Sequence, residues 1–426
     1  MSGFAPKRLT EITQLIPGQT LRGRALSIAR SPLRQHQSGL VAGARPGSVP
    51  LAWRNLIANK PRLFRSAGGI GFAVLLMLMQ LGFEQAFFDS SLQVIRELDG
   101  DILIQSIHKY QFATRDPFSR SDLDAAQNVS GVAGARPLYA DWFDFFWKNP
   151  FDGKVFLVRA FGFDPGAPVF LFPDVEANRE KLKEASTIIV DRRARGFLGM
   201  DRDPAEAELN GAKVKIVGSF ALGPDFQSDG TVMMSDRTFA SLLRGPAGNP
   251  SEVDVGVIKV RPGDDPATVR QALSKTLPGT VAVFTKDGLM EFEHKFQAAV
   301  SSAGPIFAMG TIVGFVVGML ISYQVTYTDL SDQLPQYATL KAMGYRTGYL
   351  LRVVLEQAAF NALAGWIPAW LLSILLYYVI GRVALLPLHM SVKVTLSSLG
   401  LTLGMCLVSA VLAVRRVIKA DPAEVF

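Results

Sequence analysis

The chain holds a single cysteine, Cys406, and four histidines, His36, His108, His294 and His389, in 426 residues. One thiol cannot close an internal disulfide. The histidines are scattered, with no His-Glu-x-x-His run and no Cys/His cluster of the kind that holds zinc. A Gly-x-Ser-x-Gly nucleophile elbow is also missing. So is the glycine-rich phosphate loop ending in Gly-Lys-Ser/Thr, and the chain is not expected to hydrolyse ATP by itself. Acids are plentiful between residues 89 and 297, but no spacing pairs them into an acid–base site. A non-catalytic chain that binds no metal or cofactor of its own is the expectation. Acids are almost lacking at the start: residues 1–65 carry eleven Lys or Arg and only Glu11.

What is abundant is apolar. Hydrophobic residues make up 49% of the chain, net charge is +7, and mean hydropathy is +0.23. With uncharged runs of about 18 residues or more, this reads as a polytopic membrane protein. Residues 89–297 hold 30 acids and 25 bases, a net of −5, between basic flanks. That distribution reads as membrane topology rather than nucleic-acid binding.

Residues 1–48, rich in Pro, Gly, Ser and Arg without periodicity, read as a mobile basic cytosolic tail that can touch anionic lipid. Residues 49–63, with Leu51, Trp53, Leu56 and Ile57 among Arg54, Asn55 and Lys60, suit an amphipathic helix in the interface. A first span covers 64–88, entering on basic residues and leaving on Glu84 and Asp89, which places the N-terminus inside. A second covers 298–325, with Gly310, Gly314 and Gly318 four apart. Small residues at that spacing form a groove for a second helix, either of another copy or of this chain. The third covers 350–380, with a kink expected at Gly365 and Pro368 and an Arg352/Glu356 pair at i,i+4 near its start. A short loop, 381–395, leads to the fourth span, 396–414, which carries Gly400 and Gly404. Arg415, Arg416 and Lys419 hold the C-terminal segment, 415–426, in the cytosol.

The fold class is therefore a membrane protein of four transmembrane α-helices with a large extracytoplasmic α+β domain inserted after the first. In that domain, residues 89–297, the strand-like runs are 101–107, 154–163, 187–191, 212–222, 231–235, 253–260 and 281–285. Helices are expected around 123–128, 237–243 and 266–277. Residues 89–98 and 287–300 are expected to carry spans one and two outward as a stalk. In the connection 326–349, Asp332 can cap a helix, Pro335 suits its first turn and Gly344 its end. The helix would be about 11 residues, roughly 16 Å. Leu334, Tyr337, Leu340 and Met343, three apart, give it a semi-apolar stripe. Lys341 and Arg346 place it on the cytosolic side, as a docking surface or as a solvated turn.

Three stretches carry a resemblance: 72–90 (FAVLLMLMQLGFEQAFFDS), 327–358 (YTDLSDQLPQYATLKAMGYRTGYLLRVVLEQA) and 415–426 (RRVIKADPAEVF). The chain resembles the FtsX-type ABC transporter permeases, the group of MacB and the LolC/LolE pair, and is most similar to the DevC exporter permeases. The resemblance implies that Leu334, Pro335, Gln336, Tyr337, Thr339, Leu340, Lys341, Met343 and Gly344 form a coupling helix that docks on a separate ATPase subunit. It further implies a permease homodimer in the inner membrane with two ATPases that use ATP and Mg. A periplasmic membrane-fusion adaptor and an outer-membrane channel would complete a system exporting a lipid or hydrophobic substrate. FtsX-like control of a cell-wall hydrolase, and lipoprotein release, are the alternative outputs. Two departures stand out: the basic tail is long, and the acid in span three sits at Glu356 with Gln357 following, one position earlier than the family pattern.

Overall fold

The computed structural model describes residues 60–243, 251–335, 343 and 347–419. The basic tail, most of the interfacial helix and the end of the C-terminal segment lie outside the described residues. Helix α1 (Lys60–Ser91) is followed by a short α2 (Gln93–Arg96). The inserted domain contributes β1 (Ile102–Ser106), β2 (Phe118–Ser119), α3 (Arg120–Gln127), β3 (Val132–Asp141), β4 (Phe146–Lys148), β5 (Val155–Leu157), β6 (Arg159–Phe163) and α4 (Pro173–Ala177). It continues with β7 (Thr187–Asp191), β8 (Glu206–Leu209), β9 (Ala212–Phe220), β10 (Thr231–Ser235), α5 (Asp236–Leu242), β11 (Glu252–Val253), β12 (Val255–Val260), α6 (Pro266–Thr276), β13 (Val281–Thr285) and α7 (Lys286–Val300). Three long helices complete the chain: α8 (Ala303–Asp332), α9 (Thr347–Ala384) and α10 (Val392–Lys419).

Four helices are long and apolar enough to cross a membrane, at Phe64–Ser91, Ala303–Asp332, Leu351–Ala384 and Val392–Arg416. Each runs past the end of its expected bounds, while the second starts at Ala303 rather than at 298. At about 1.5 Å per residue they outreach a hydrocarbon core of about 30 Å, so charged and polar residues at their ends stay helical in the interface. The non-helical connection between α9 and α10 therefore shrinks from the expected 381–395 to 385–391. Asp332 closes α8, and after Gln333 a new helical turn starts at Leu334. The expected stalk is not continuous with span two, because Ser301 turns extended between α7 and α8. On the other side, α1 stays helical only to Ser91, and Leu92 separates it from α2.

In the bundle, α1 packs on α8 and α9, and α10 packs on the same two helices. Ile70, Val74, Met77 and Leu78 of α1 meet Ala362 and Ala369 of α9 and Met405 and Cys406 of α10 in its core. The glycine groove of α8 is filled from within the chain. A Cβ on Gly310 would meet Gln80, one on Gly314 would lie 2.9 Å from Met77 Cγ, and one on Gly318 would meet Met405 and Ala73. These glycines let α1 and α10 of the same chain approach α8. Gly400 and Gly404 of α10 have no such neighbour within 4 Å.

The inserted domain is built on an eleven-stranded sheet in the order β13-β1-β12-β3-β6-β10-β7-β9-β8-β4-β5. Neighbours are antiparallel except β6/β10 and β7/β9. β1, β6, β7 and β10 are buried along their whole length, because both faces of the sheet are covered. Ile102, Ile104, Val232 and Met234 point to the layer of α3, α5 and α6. Leu103, Phe161, Met233 and Phe163 point to the layer holding α2, α4 and α7. All seven expected strand runs form strands; 154–163 splits at Val158 into β5 and β6. The ten-residue β3 lies outside the expected strand runs, as do β2, β4 and β8; Gly134 and Pro137 weaken the strand signal in β3. Pro137 is accommodated where β3 pairs with β12 alone; pairing with β6 begins one residue later, at Leu138.

Gly314→Leu drives a side chain into Met77 and should cost about 1–3 kcal/mol. Thermal unfolding in detergent should show a lowered midpoint for that variant and an unchanged one for Gly400→Ala, whose Cβ meets open space.

Candidate transmission site at the two ends of the bundle

Of the segment expected to dock, the described residues Leu334 and Pro335 follow α8 at the end of the bundle away from the sheet. Leu334 is half-buried and Pro335 exposed, and Met343 is 63% exposed. Gln336, Tyr337, Thr339, Leu340, Lys341 and Gly344 lie outside the described residues. Leu330 of α8, Val354 and Ala358 of α9, and Ala410 and Val414 of α10 form a small apolar core. Tyr323 and Tyr327 stack with centroids 6.0 Å apart, and the Arg416 guanidinium sits 5.9 Å over the Tyr327 ring.

The expected Arg352–Glu356 pair forms at 3.0 Å on an exposed face. An exposed i,i+4 pair contributes only a few tenths of a kcal/mol, roughly 0.3–0.5. The departure at position 357 has a physical reason. Gln357 Nε2 donates to Asp329 Oδ2 at 3.4 Å, with both residues buried. Asp329 supplies the acid from α8, and a second carboxylate at 357 would face it.

The opposite end meets the sheet domain. Gln85 lies with Nε2 2.8 Å from His389 Nε2, and Ser391 Oγ donates to Gln85 Oε1, which binds the 385–391 connection to the exit of α1. Asp89 there pairs with Arg96 at 2.8 Å. From the sheet, the loop between β9 and β10 reaches down. Phe226 meets Phe87 of α1 edge-on at 5.4 Å, and Phe87 lies 6.4 Å from Phe307 of α8, which stacks on Phe83. Gln93 Nε2 donates to the Leu222 carbonyl at 2.6 Å. One loop thus touches span one, the turn after it and, through one ring, span two.

That loop is held rigidly from behind. The Asp191 carboxylate accepts from the backbone N–H groups of Arg193, Leu222 and Gly223. Asp225 accepts from Gln227 N and Ser228 N and pairs with Arg159 Nη1 at 2.5 Å. Arg159 is 1% exposed, donates twice to Thr231 Oγ1, and sits 5.7 Å from the rings of Trp142 and Phe161. Each guanidinium nitrogen has a partner, and a buried cation held this way fixes its partners in one arrangement.

A second attachment runs through α7. Glu293 accepts from Phe112 N at 2.8 Å and from Gln297 Nε2 at 3.0 Å. Burial pushes its carboxyl above the usual carboxylate range, against the pull of the Phe112 and Gln297 hydrogen bonds and Lys109. Lys109, 2% exposed, donates to the Asp254 carbonyl at 3.3 Å, and burial pushes its ammonium below the usual lysine range. Phe88 of α1 packs on His294 of α7 at 4.6 Å, so span one and α7 move against each other only by breaking ring contacts. Nothing in the sequence pointed to Phe226 or Asp225. Arg159, a lone charge inside an apolar strand run, was the readable signal. Among the described residues no group of three or more His, Cys, Asp or Glu could hold a metal ion.

Arg159→Ala leaves Asp225 buried without its cation, which costs about 3–5 kcal/mol. Chemical denaturation of the solubilised protein should show that loss, while the far milder Arg352→Ala should stay within about 0.5 kcal/mol of the parent.

Over about the same length as the inserted domain, the chain is similar to the extracellular domain of YknZ, a noncanonic ABC-type transporter of Gram-positive bacteria. Identity is 10%, coverage 44% of this chain and 99% of that one, and TM-score 0.30. A domain from a Porphyromonas gingivalis protein described as a permease is similar at 16% identity, covering 43% of this chain and 85% of its own, with TM-score 0.27. At TM-scores this low neither likeness carries weight for function. Residues 306–422, spanning α8 to α10, match the FtsX-like permease C-terminal domain, so this segment of the chain is similar to that domain.

Proposed function

We propose that this chain is the non-catalytic permease subunit of an ABC-type efflux system. A separate ATPase docks on the 334–344 segment, and its closure is passed through the bundle to the sheet domain. The observation that carries the reading is that the FtsX-like match, residues 306–422, contains the docking segment between two spans. The sheet domain is attached to the other end of those spans by specific contacts. The basic residues Arg352, Arg415 and Arg416 lie at the docking end, which makes that side the cytosolic one under the positive-inside rule. The sheet domain is then periplasmic.

In this reading the permease works as a homodimer with two ATPases, which alone use ATP and Mg. An adaptor and an outer-membrane channel receive a lipid or hydrophobic substrate. Motion enters at Leu334–Gly344, travels along α8 and α9 as rigid rods, and leaves through Phe307, Phe87 and Phe226 and through α7. Helices suit this role because every backbone bond is satisfied within the segment, so they shift as bodies inside the bilayer rather than unravel.

Leu340→Asp removes apolar area from the docking stripe and should abolish co-purification of the ATPase while the protein still inserts and folds. Unchanged co-purification and ATPase activity would overturn the docking assignment. Phe226→Ala should leave ATPase association intact and lower substrate-stimulated ATPase activity by about two- to tenfold, the size of one lost aromatic pair. Proteins retained with the complex identify its output: an adaptor supports export, whereas a cell-wall hydrolase or its activator would replace export with signalling.

A further inference from the structure

The far end of the sheet is open. β5 is the last strand in the order, and among the described residues it pairs with β4 alone. The ladder fixes which of its backbone groups are free. Asn149 N donates to Lys154 O at 2.8 Å and Val158 N donates to Phe145 O at 3.0 Å, in the register Phe146↔Leu157, Trp147↔Phe156, Lys148↔Val155. Hydrogen-bonded pairs alternate in an antiparallel ladder, so residues 154, 156 and 158 turn their groups toward β4. The N–H and C=O of Val155 and Leu157 turn outward.

Apolar side chains surround this edge. Val155 is 58% exposed, Leu157 37% and Phe146, across from Leu157, 51%. They share one face, beside a cleft of about 410 Å³ closed by Asp144, Asn210 and Leu243. On the other face Phe156 packs on Phe197, itself 47% exposed, at 5.0 Å. The edge at the other end of the sheet is different: Val281 and Val283 of β13 are buried with α6, and Phe284 packs on Phe292 of α7. Exposed sheet edges are normally guarded by lysines or proline pointing outward. Here the residues whose backbone groups turn outward are Val155 and Leu157, and the lysines beside them, Lys148 and Lys154, are held in ion pairs.

The charges around the edge define its complement. Lys148 pairs with Glu208 at 2.7 Å and Lys154 with Asp152 at 3.3 Å. Asp144, on the cleft, pairs with no cation among the described residues. A ligand that is apolar along its length and basic at one end would bury the patch, pair the outward backbone groups and meet Asp144. We propose that β5 is a docking edge for an extended segment of another protein, added as a twelfth strand, with apolar residues along it and a Lys or Arg at the Asp144 end. This surface stands apart from the ATPase-docking segment and does not rest on the permease reading.

The test uses the full-length protein in nanodiscs and a fluorescent peptide, Lys-Val-Thr-Val-Thr-Val-Thr, followed by anisotropy. Saturable binding is expected to the parent protein. Val155→Pro removes an outward N–H without touching the β4 ladder, and affinity should fall at least about tenfold. Leu157→Lys, an exposed change that cannot disturb the core, should do the same, and Asp144→Asn should remove the salt dependence of binding. The proposal is overturned if the parent does not bind the peptide, or if both edge variants bind it as the parent does. Self-association of the parent that Val155→Pro abolishes would give the edge to a second copy and likewise overturn it. None of these readouts involves an ATPase, so their failure leaves the permease reading standing, and loss of the permease reading leaves them unaffected.

Discussion

The buried pair of Arg159 and Asp225 is the constraint on which the link between membrane and sheet depends. A guanidinium at 1% exposure is tolerable only because Asp225, Thr231 and two aromatic faces satisfy it. Those same bonds hold the β9–β10 loop in the one shape that presents Phe226 to Phe87. Hydrophobic packing alone would permit the loop to repack; a charge that loses several kcal/mol when unpaired does not. The strength of the pair lies in specificity of arrangement more than in net stability.

From this anchor the rest of the architecture follows as a chain of rigid bodies. The sheet is covered on both faces, so its strands cannot shift without opening two cores. The bundle is close-packed through Gly310, Gly314 and Gly318 on one side and through the Ala362, Ala369 and Cys406 layer on the other. Between them lie contacts with few atoms: ring pairs at Phe226, Phe87 and His294, and hydrogen bonds at Gln85, Gln93 and Glu293. The proposed transmission of motion runs through these narrow joints. At the end of the bundle where docking is proposed, Asp329 facing Gln357 performs a similar service for α8 and α9.

The parts legible in sequence were those with long, repeated signals. Uncharged runs announced the four spans, and the alternating or continuous apolar runs at 187–191, 231–235 and 281–285 announced strands. Span ends were less legible because helices continue past the hydrocarbon core, where composition no longer marks them. β3 was hidden by Pro137, whose fit depends on where β6 begins to pair, a fact of tertiary structure. The glycine triplet of α8 was legible as a groove, but what fills it was not, since a groove accepts a helix from this chain or another alike. Phe226 was invisible because a single aromatic in a Gly- and Asp-rich loop carries no periodicity.

The measurement that most directly tests the account is hydrogen–deuterium exchange on the complete complex, with and without non-hydrolysable ATP, read at residues 221–230 and 286–300. If nucleotide-driven motion reaches the sheet domain through these joints, exchange in both segments changes on nucleotide binding, although neither lies near the docking end. If only the docking segment responds and both joints keep the same exchange, the bundle does not transmit motion by this route and the central claim is wrong.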